Sequence, residues 1–129
     1  MGLGQFDETY PYTFAAHVQS TDGVASVLIS GTESGPRRID AITATNTDTI
    51  VHVIQLRQVF GTTTRLIGSA TIPIGAGTGG LASLDVLAAC QPSTNPSLCL
   101  LPGDSLSVVL EVALTATKVI DIVTRGGTL

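Results

Sequence analysis

Between Ser105 and Leu114 large aliphatic residues fall on every second position. Leu106, Val108, Leu110, Val112 and Leu114 alternate with Ser105, Ser107, Val109, Glu111 and Ala113. Successive side chains of an extended chain point to opposite faces, so this run reads as a strand with one face buried. No helix can bury a period of two. The same rhythm recurs along the chain, and Thr, Val and Ile together supply nearly a third of all residues. β-branched residues favour the pleated sheet and lose rotamer freedom in helices, which excludes a helical bundle.

The alternation predicts strands over 10–19, 24–30, 38–46, 50–60, 65–74, 98–101, 105–114 and 118–124, and Leu81, Leu84 and Leu87 at helical spacing predict one short helix over 81–89. Breaker clusters separate them: Thr21-Asp22-Gly23, Gly31 to Pro36, Asn46 to Thr49, Gly61 to Thr64, Gly75 to Gly80 and Pro102-Gly103-Asp104. Pro11 lacks a backbone donor and puts the first strand at a sheet edge, whereas residues 50–60 are partly apolar on both faces and read as central. In the strand over 65–74, Leu66, Ala70, Ile72 and Ile74 are expected to point inward. Seven to eight strands and one helix make an all-β chain, a β-sandwich of jelly-roll-like or immunoglobulin-like type. With no Trp, the immunoglobulin Cys–Trp–Cys pattern is missing, and the jelly-roll-like sandwich is the expectation. At 129 residues the chain reads as a single sandwich domain over 10–129 behind an N-terminal arm over 1–9.

Charged residues make up 12% of the chain against a hydrophobic 43%, and the mean hydropathy is +0.42. Disorder needs the opposite balance. Six basic residues against ten acidic ones argue against a nucleic-acid partner. Lys118 is the single lysine. Lysine is depleted at protein interfaces because its ammonium is costly to desolvate, so the composition suits a subunit of an assembly. No apolar run reaches the ~18 residues of a membrane span. Residues 1–8 carry no basic segment ahead of an apolar core, and Phe6 stands where a myristoylation signal needs Ser or Thr. The expectation is a chain made in a cytoplasm that stays soluble or assembles there, with no membrane partner.

The residues that could carry chemistry are few. Cys90 and Cys99 bracket a Pro-containing loop, and two thiols are too few for a zinc site. Their spacing allows a disulfide worth roughly 2–3 kcal/mol, while a cytoplasmic origin favours free thiols. His17 and His52 sit inside predicted strands and read as strand residues with a local hydrogen-bond partner. The glycines of Gly75 to Gly80 follow an alternating strand and lack the βαβ setting of a phosphate loop. Asp40, Asp48, Asp85, Asp104 and Asp121 are scattered, and Asp48 and Asp104 fall in turns. Arg37-Arg38 is the one basic pair, either a solvated strand entry or a contact for an acidic neighbour. Leu3, Phe6, Asp7 and Glu8 give the arm the means to dock on a partner. No enzyme and no cofactor are expected.

Ala44-Thr45-Asn46-Thr47-Asp48 before an apolar strand, the Gly61-Thr62 hairpin, Ile72-Pro73-Ile74-Gly75-Ala76-Gly77, Leu100-Leu101-Pro102-Gly103-Asp104-Ser105-Leu106 and a last strand closing on Gly126-Gly127 together resemble small β-sandwich structural proteins of tailed bacteriophages. The resemblance covers about two thirds of the chain. It implies a virion component without catalytic residues: a capsid decoration (cement) protein on the major capsid protein lattice, working as a homo-oligomer, most simply a homotrimer. A neck or tail protein of the same fold is the alternative. From another class, a small secreted carbohydrate- or surface-binding module would need exposed aromatics, yet Tyr10 and Tyr12 lie on the apolar face of the first strand.

Overall fold

Two antiparallel sheets pack face to face in this computed structural model, which describes residues 11–32, 35–92 and 96–128. The strands are β1 (Pro11–Gln19), β2 (Ser26–Gly31), β3 (Arg37–Asn46), β4 (His52–Phe60), β5 (Thr63–Ile72), β6 (Leu84–Asp85), β7 (Leu98–Leu100), β8 (Ser105–Leu110) and β9 (Val119–Thr128), with one short helix, α1 (Val86–Cys90). Sheet A runs β1-β9-β3, with β6 and β7 on the far side of β3; sheet B runs β2-β8-β4-β5. First pairs with last, second with next to last, and β4 closes on β5. That wound hairpin is the jelly roll. Nine segments fill eight strand positions, because β6 and β7 share one edge of β3.

The core lies between the sheets. Ile29, Ile39, Ile42, Ile54, Leu56, Ile72, Leu106, Ile120 and Ile122 are fully buried there. Fully burying each aliphatic chain contributes about 1.5–3 kcal/mol, which is why the alternation dictates which face turns inward. β1 is an edge strand and β4 lies between β8 and β5, as Pro11 and the two-sided apolarity of β4 require.

Four expectations shift in the folded chain. The helix starts at Val86, not at residue 81. Asp85 caps it, its carboxylate accepting the Ala88 amide at 3.1 Å, while Leu84 and Asp85 pair with β3 and Leu81 is exposed. β8 stops at Leu110, and the Glu111 amide bonds to the Val53 carbonyl as the chain leaves the strand. β9 continues through Gly126 and Gly127, because it lies between β1 and β3 and both extend alongside it. Gly126 sits opposite a bulge in β3, and a Cβ there would lie 1.7 Å from the Arg38 carbonyl oxygen, so no other residue fits. Finally, a bulge at Ile67 offsets β5 by one residue against β4. Ala70 and Ile72 point inward as expected, but Leu66 turns outward and is 57% exposed, and Ile74, past the strand's end, is exposed as well.

The two open sides of the sandwich are treated differently. On the β5 side α1 packs between the sheets, with the Cys90 backbone against Gly68, where an added Cβ would lie 2.9 Å from the Cys90 carbonyl. On the other side β1 and β2 are the two sheet edges, joined by a single 3-10 turn over Ser20–Asp22, and among the described residues no helix covers them.

Candidate functional site

Asn46, Asp48 and His52 build one buried cluster at the β3–β4 connection. The Asn46 side-chain amide donates to the carbonyls of Ile50 at 3.1 Å and Pro73 at 3.3 Å, and its oxygen accepts the Asp48 amide at 2.8 Å. Asp48 accepts from the Thr49 amide at 2.6 Å, the Thr115 amide at 2.9 Å and His52 Nε2 at 2.8 Å. Burial alone would push the Asp48 carboxyl up, but these donors outweigh it and hold the group well below the usual carboxylate range. His52 Nδ1 is buried without a partner, so the ring is held through Nε2 on Asp48 alone. The side chains of Asp48 and His52 are shut off from solvent. The cluster is therefore a staple that ties the β3–β4 loop to the β8–β9 loop at Thr115. The motif running from Ala44 to Asp48 reads as a simple turn in sequence and turns out to be this junction.

The other singled-out residues are not brought together. Arg38 points outward and its Nε donates to Asp40 at 2.9 Å. Arg37 points to the opposite face, donates to the Gly31 carbonyl at 2.6 Å and lies over the Tyr12 ring at 4.4 Å. The basic pair is thus split by strand alternation. Both cysteines are free thiols, Cys90 half-buried at the end of α1 and Cys99 exposed on β7; burial pushes the Cys90 thiol up. His17 is exposed and bonded to Asp121 at 2.5 Å. Leu3, Phe6, Asp7 and Glu8 lie outside the described residues, as does the rest of the predicted arm. Among the described residues no three His, Cys, Asp or Glu side chains gather in a metal-binding arrangement, and no helix is long and apolar enough to cross a membrane.

The two outer faces differ in charge. On sheet A the outward residues include His17, Arg38, Asp40, Asp121 and Arg125; His17 is hydrogen-bonded to Asp121 and Arg38–Asp40 is an ion pair on that surface. Sheet B presents Ser26 and Leu28 from β2, Ser105, Ser107 and Val109 from β8, Val53, Gln55, Arg57 and Val59 from β4, and Thr64, Leu66, Ser69 and Thr71 from β5. Arg57 is the sole charged side chain in that set and donates to Gln55 at 2.5 Å, while Gln55 donates to the carboxylate of Glu111, just past the end of β8, at 3.4 Å. Leu28 and Leu66 cross the face in one row with Ser107 and Arg57, both more than half exposed. Sequence reasoning missed Leu66 because a bulge has no residue signature here, and missed Leu28 because a short strand does not say which face is covered.

A groove of about 580 Å³ runs along the open β1–β2 side. Phe14 and Leu28 form its apolar walls, Arg37 is its cation, and Gly31, Thr32 and the Gly103-Asp104-Ser105 turn complete it. The Tyr12 hydroxyl bonds to the Ser30 hydroxyl beside it and ties β1 to β2. The Asp104 carboxylate accepts the Leu101 amide at 3.1 Å, and Gly103 and Asp104 exchange backbone hydrogen bonds with Thr32. The Leu100 to Leu106 motif therefore serves to hold this wall.

No family model and no curated protein matches the chain.

Proposed function

We propose that this chain is a non-enzymatic structural subunit of a tailed-phage virion, a capsid decoration (cement) protein that acts as a homotrimer on the major capsid lattice. The observation that carries this reading is the outer face of sheet B, whose four strands carry Arg57 as their one charge, with the Glu111 carboxylate reaching Gln55 from just past the end of β8. Burying such a face strips little hydration from ions, and its Leu28, Leu66, Val53, Val59 and Val109 side chains supply apolar area. The jelly roll supports it only as a fold shared with many capsid proteins, and the phage resemblance of the turn motifs adds the tailed-phage setting.

The geometry also sets a scale. Four strands about 4.8 Å apart and about six residues long cover roughly 400 Å², about half of the roughly 800 Å² per partner that a stable interface buries. One face alone is too small for tight binding, so the subunit needs further contacts, and the β1–β2 edge and the N-terminal arm are where the chain has them to offer. Added buried area between capsomers would stabilise a shell against internal DNA pressure.

The test begins with the mass of the purified protein by light scattering, followed by mixing with expanded, undecorated capsids. A species of three times 13.2 kDa that binds the shells saturably and raises their disruption temperature is the expected result. A protein that ignores expanded capsids but binds isolated tails or necks would move it elsewhere in the virion. Binding to neither overturns the virion role.

A further inference from the structure

The β1–β2 groove has two apolar walls and a cation whose hydrogen-bonding capacity is mostly unspent. Among the described residues the Arg37 guanidinium meets the Gly31 carbonyl and the Tyr12 ring, and no carboxylate pairs with it. A guanidinium has five N–H donors, so an acidic partner could still take a bidentate pair. Gly31 and Gly103 leave the groove lining open to an approaching backbone.

Ten residues precede the described chain, which begins at Pro11, the first residue of β1, three positions from Phe14. This segment holds the chain's one adjacent acidic pair, Asp7-Glu8, directly after Phe6. An aromatic followed by two carboxylates is the complement of Phe14 and Leu28 beside Arg37. Extended, the segment reaches about 33 Å. Gln5 to Tyr10 contain neither Gly nor Pro. Asp7 is the one strong turn former in that stretch, so a tight reversal onto its own groove has less turn chemistry to draw on than a reach to a neighbouring copy.

We infer that the β1–β2 groove is the receptor for the N-terminal segment of a second copy, with Phe6 between Phe14 and Leu28 and Asp7 or Glu8 on Arg37. Each subunit then gives an arm and receives one, which links copies around a ring and supplies area that the sheet B face lacks. The inference rests on the assembling role proposed above for the presence of a second copy, but not on the identity of the shell.

The test uses the full chain with photo-reactive benzoylphenylalanine at position 6 in place of Phe6, mixed with unmodified ¹⁵N-labelled chain and irradiated. Cross-linked peptides are then mapped by mass. The expected result is a link from the modified chain to a labelled one, at or next to Phe14, Leu28 or Ser105. Arg37→Glu in the labelled partner should lower the yield at least fivefold, and Arg37→Lys less. Should Arg37→Glu fail to fold, Leu28→Glu at the exposed wall makes the same test. Links within one chain only, links spread over the sheet A face, or no links above an irradiated control would each overturn the proposal. Capsid binding measured on the same samples separates the two claims. Lost cross-links with binding retained sink arm exchange alone, and cross-links without capsid binding sink the cement role alone.

Discussion

The outer faces of sheets A and B share one backbone geometry and have opposite surface chemistry. Sheet A carries Arg38, Asp40, Asp121, Arg125 and His17, exposed and partly paired. Sheet B carries Arg57 amid Ser, Thr, Gln, Val and Leu, with Glu111 at its margin bonded to Gln55. The inward faces of both sheets are equally apolar, because both feed one core. Folding thus constrains the inside and leaves the outside free, and a difference between the two outsides reflects what each must meet. A face with mobile, hydrated ions suits water. A face nearly stripped of them folds no better for it, but it can be covered at little desolvation cost.

The largest expected effects come from breaking the frame that holds both faces. Gly126→Ala forces a Cβ into the Arg38 carbonyl at the sheet A bulge, so β1, β9 and β3 must separate locally; a loss of at least about 3 kcal/mol is expected in urea unfolding. Asp48→Ala removes the buried acceptor of the Thr115 amide and His52, and a loss of about 3 kcal/mol is expected by the same measurement. The sign of its pH dependence follows from the depressed carboxyl. The stability Asp48 contributes is fully present above its unfolded value near pH 4 and drains away as the pH falls toward the lower folded value. Asp48→Asn should therefore flatten the acid side of the stability profile, and an unchanged slope would show that the staple carries no linked proton.

Leu66→Lys separates the two faces. On an exposed position of sheet B it should change folding by less than about 0.5 kcal/mol. It should weaken assembly or shell binding at least tenfold in a sedimentation assay, since it buries an ammonium in the proposed interface. Thr43→Lys on the sheet A face is the mirror experiment, and binding should stay within twofold. Equal losses from both substitutions would erase the distinction between the faces. Smallest of all is Arg38→Ala, which deletes an exposed ion pair with Asp40. Thermal unfolding should register under about 1 kcal/mol, less in high salt.

Much of the fold was legible because burial follows alternation. The runs Leu106 to Leu110 and Ile120 to Thr124 could turn inward in one register only, and the turn residues separated them. Asp48 and Asp104 were legible as turn carboxylates, since Asp in such places bonds nearby amides. The helix start was misread because Leu81 falls at helical spacing by coincidence, whereas the Asp85 cap sets the boundary. Arg37-Arg38 read as a pair although alternation must split it.

By itself the sequence determined an all-β chain of alternating strands, the edge position of the first and the central position of the fourth. The reason is local: side-chain direction, proline chemistry and apolar area are properties of short segments. Only the tertiary structure decided that Ile67 bulges and turns Leu66 outward, that Asp48 reaches Thr115, and that Phe14, Leu28 and Arg37 meet in one groove. Those contacts join residues far apart along the chain, and their geometry depends on how two sheets pair and pack, which no single segment encodes.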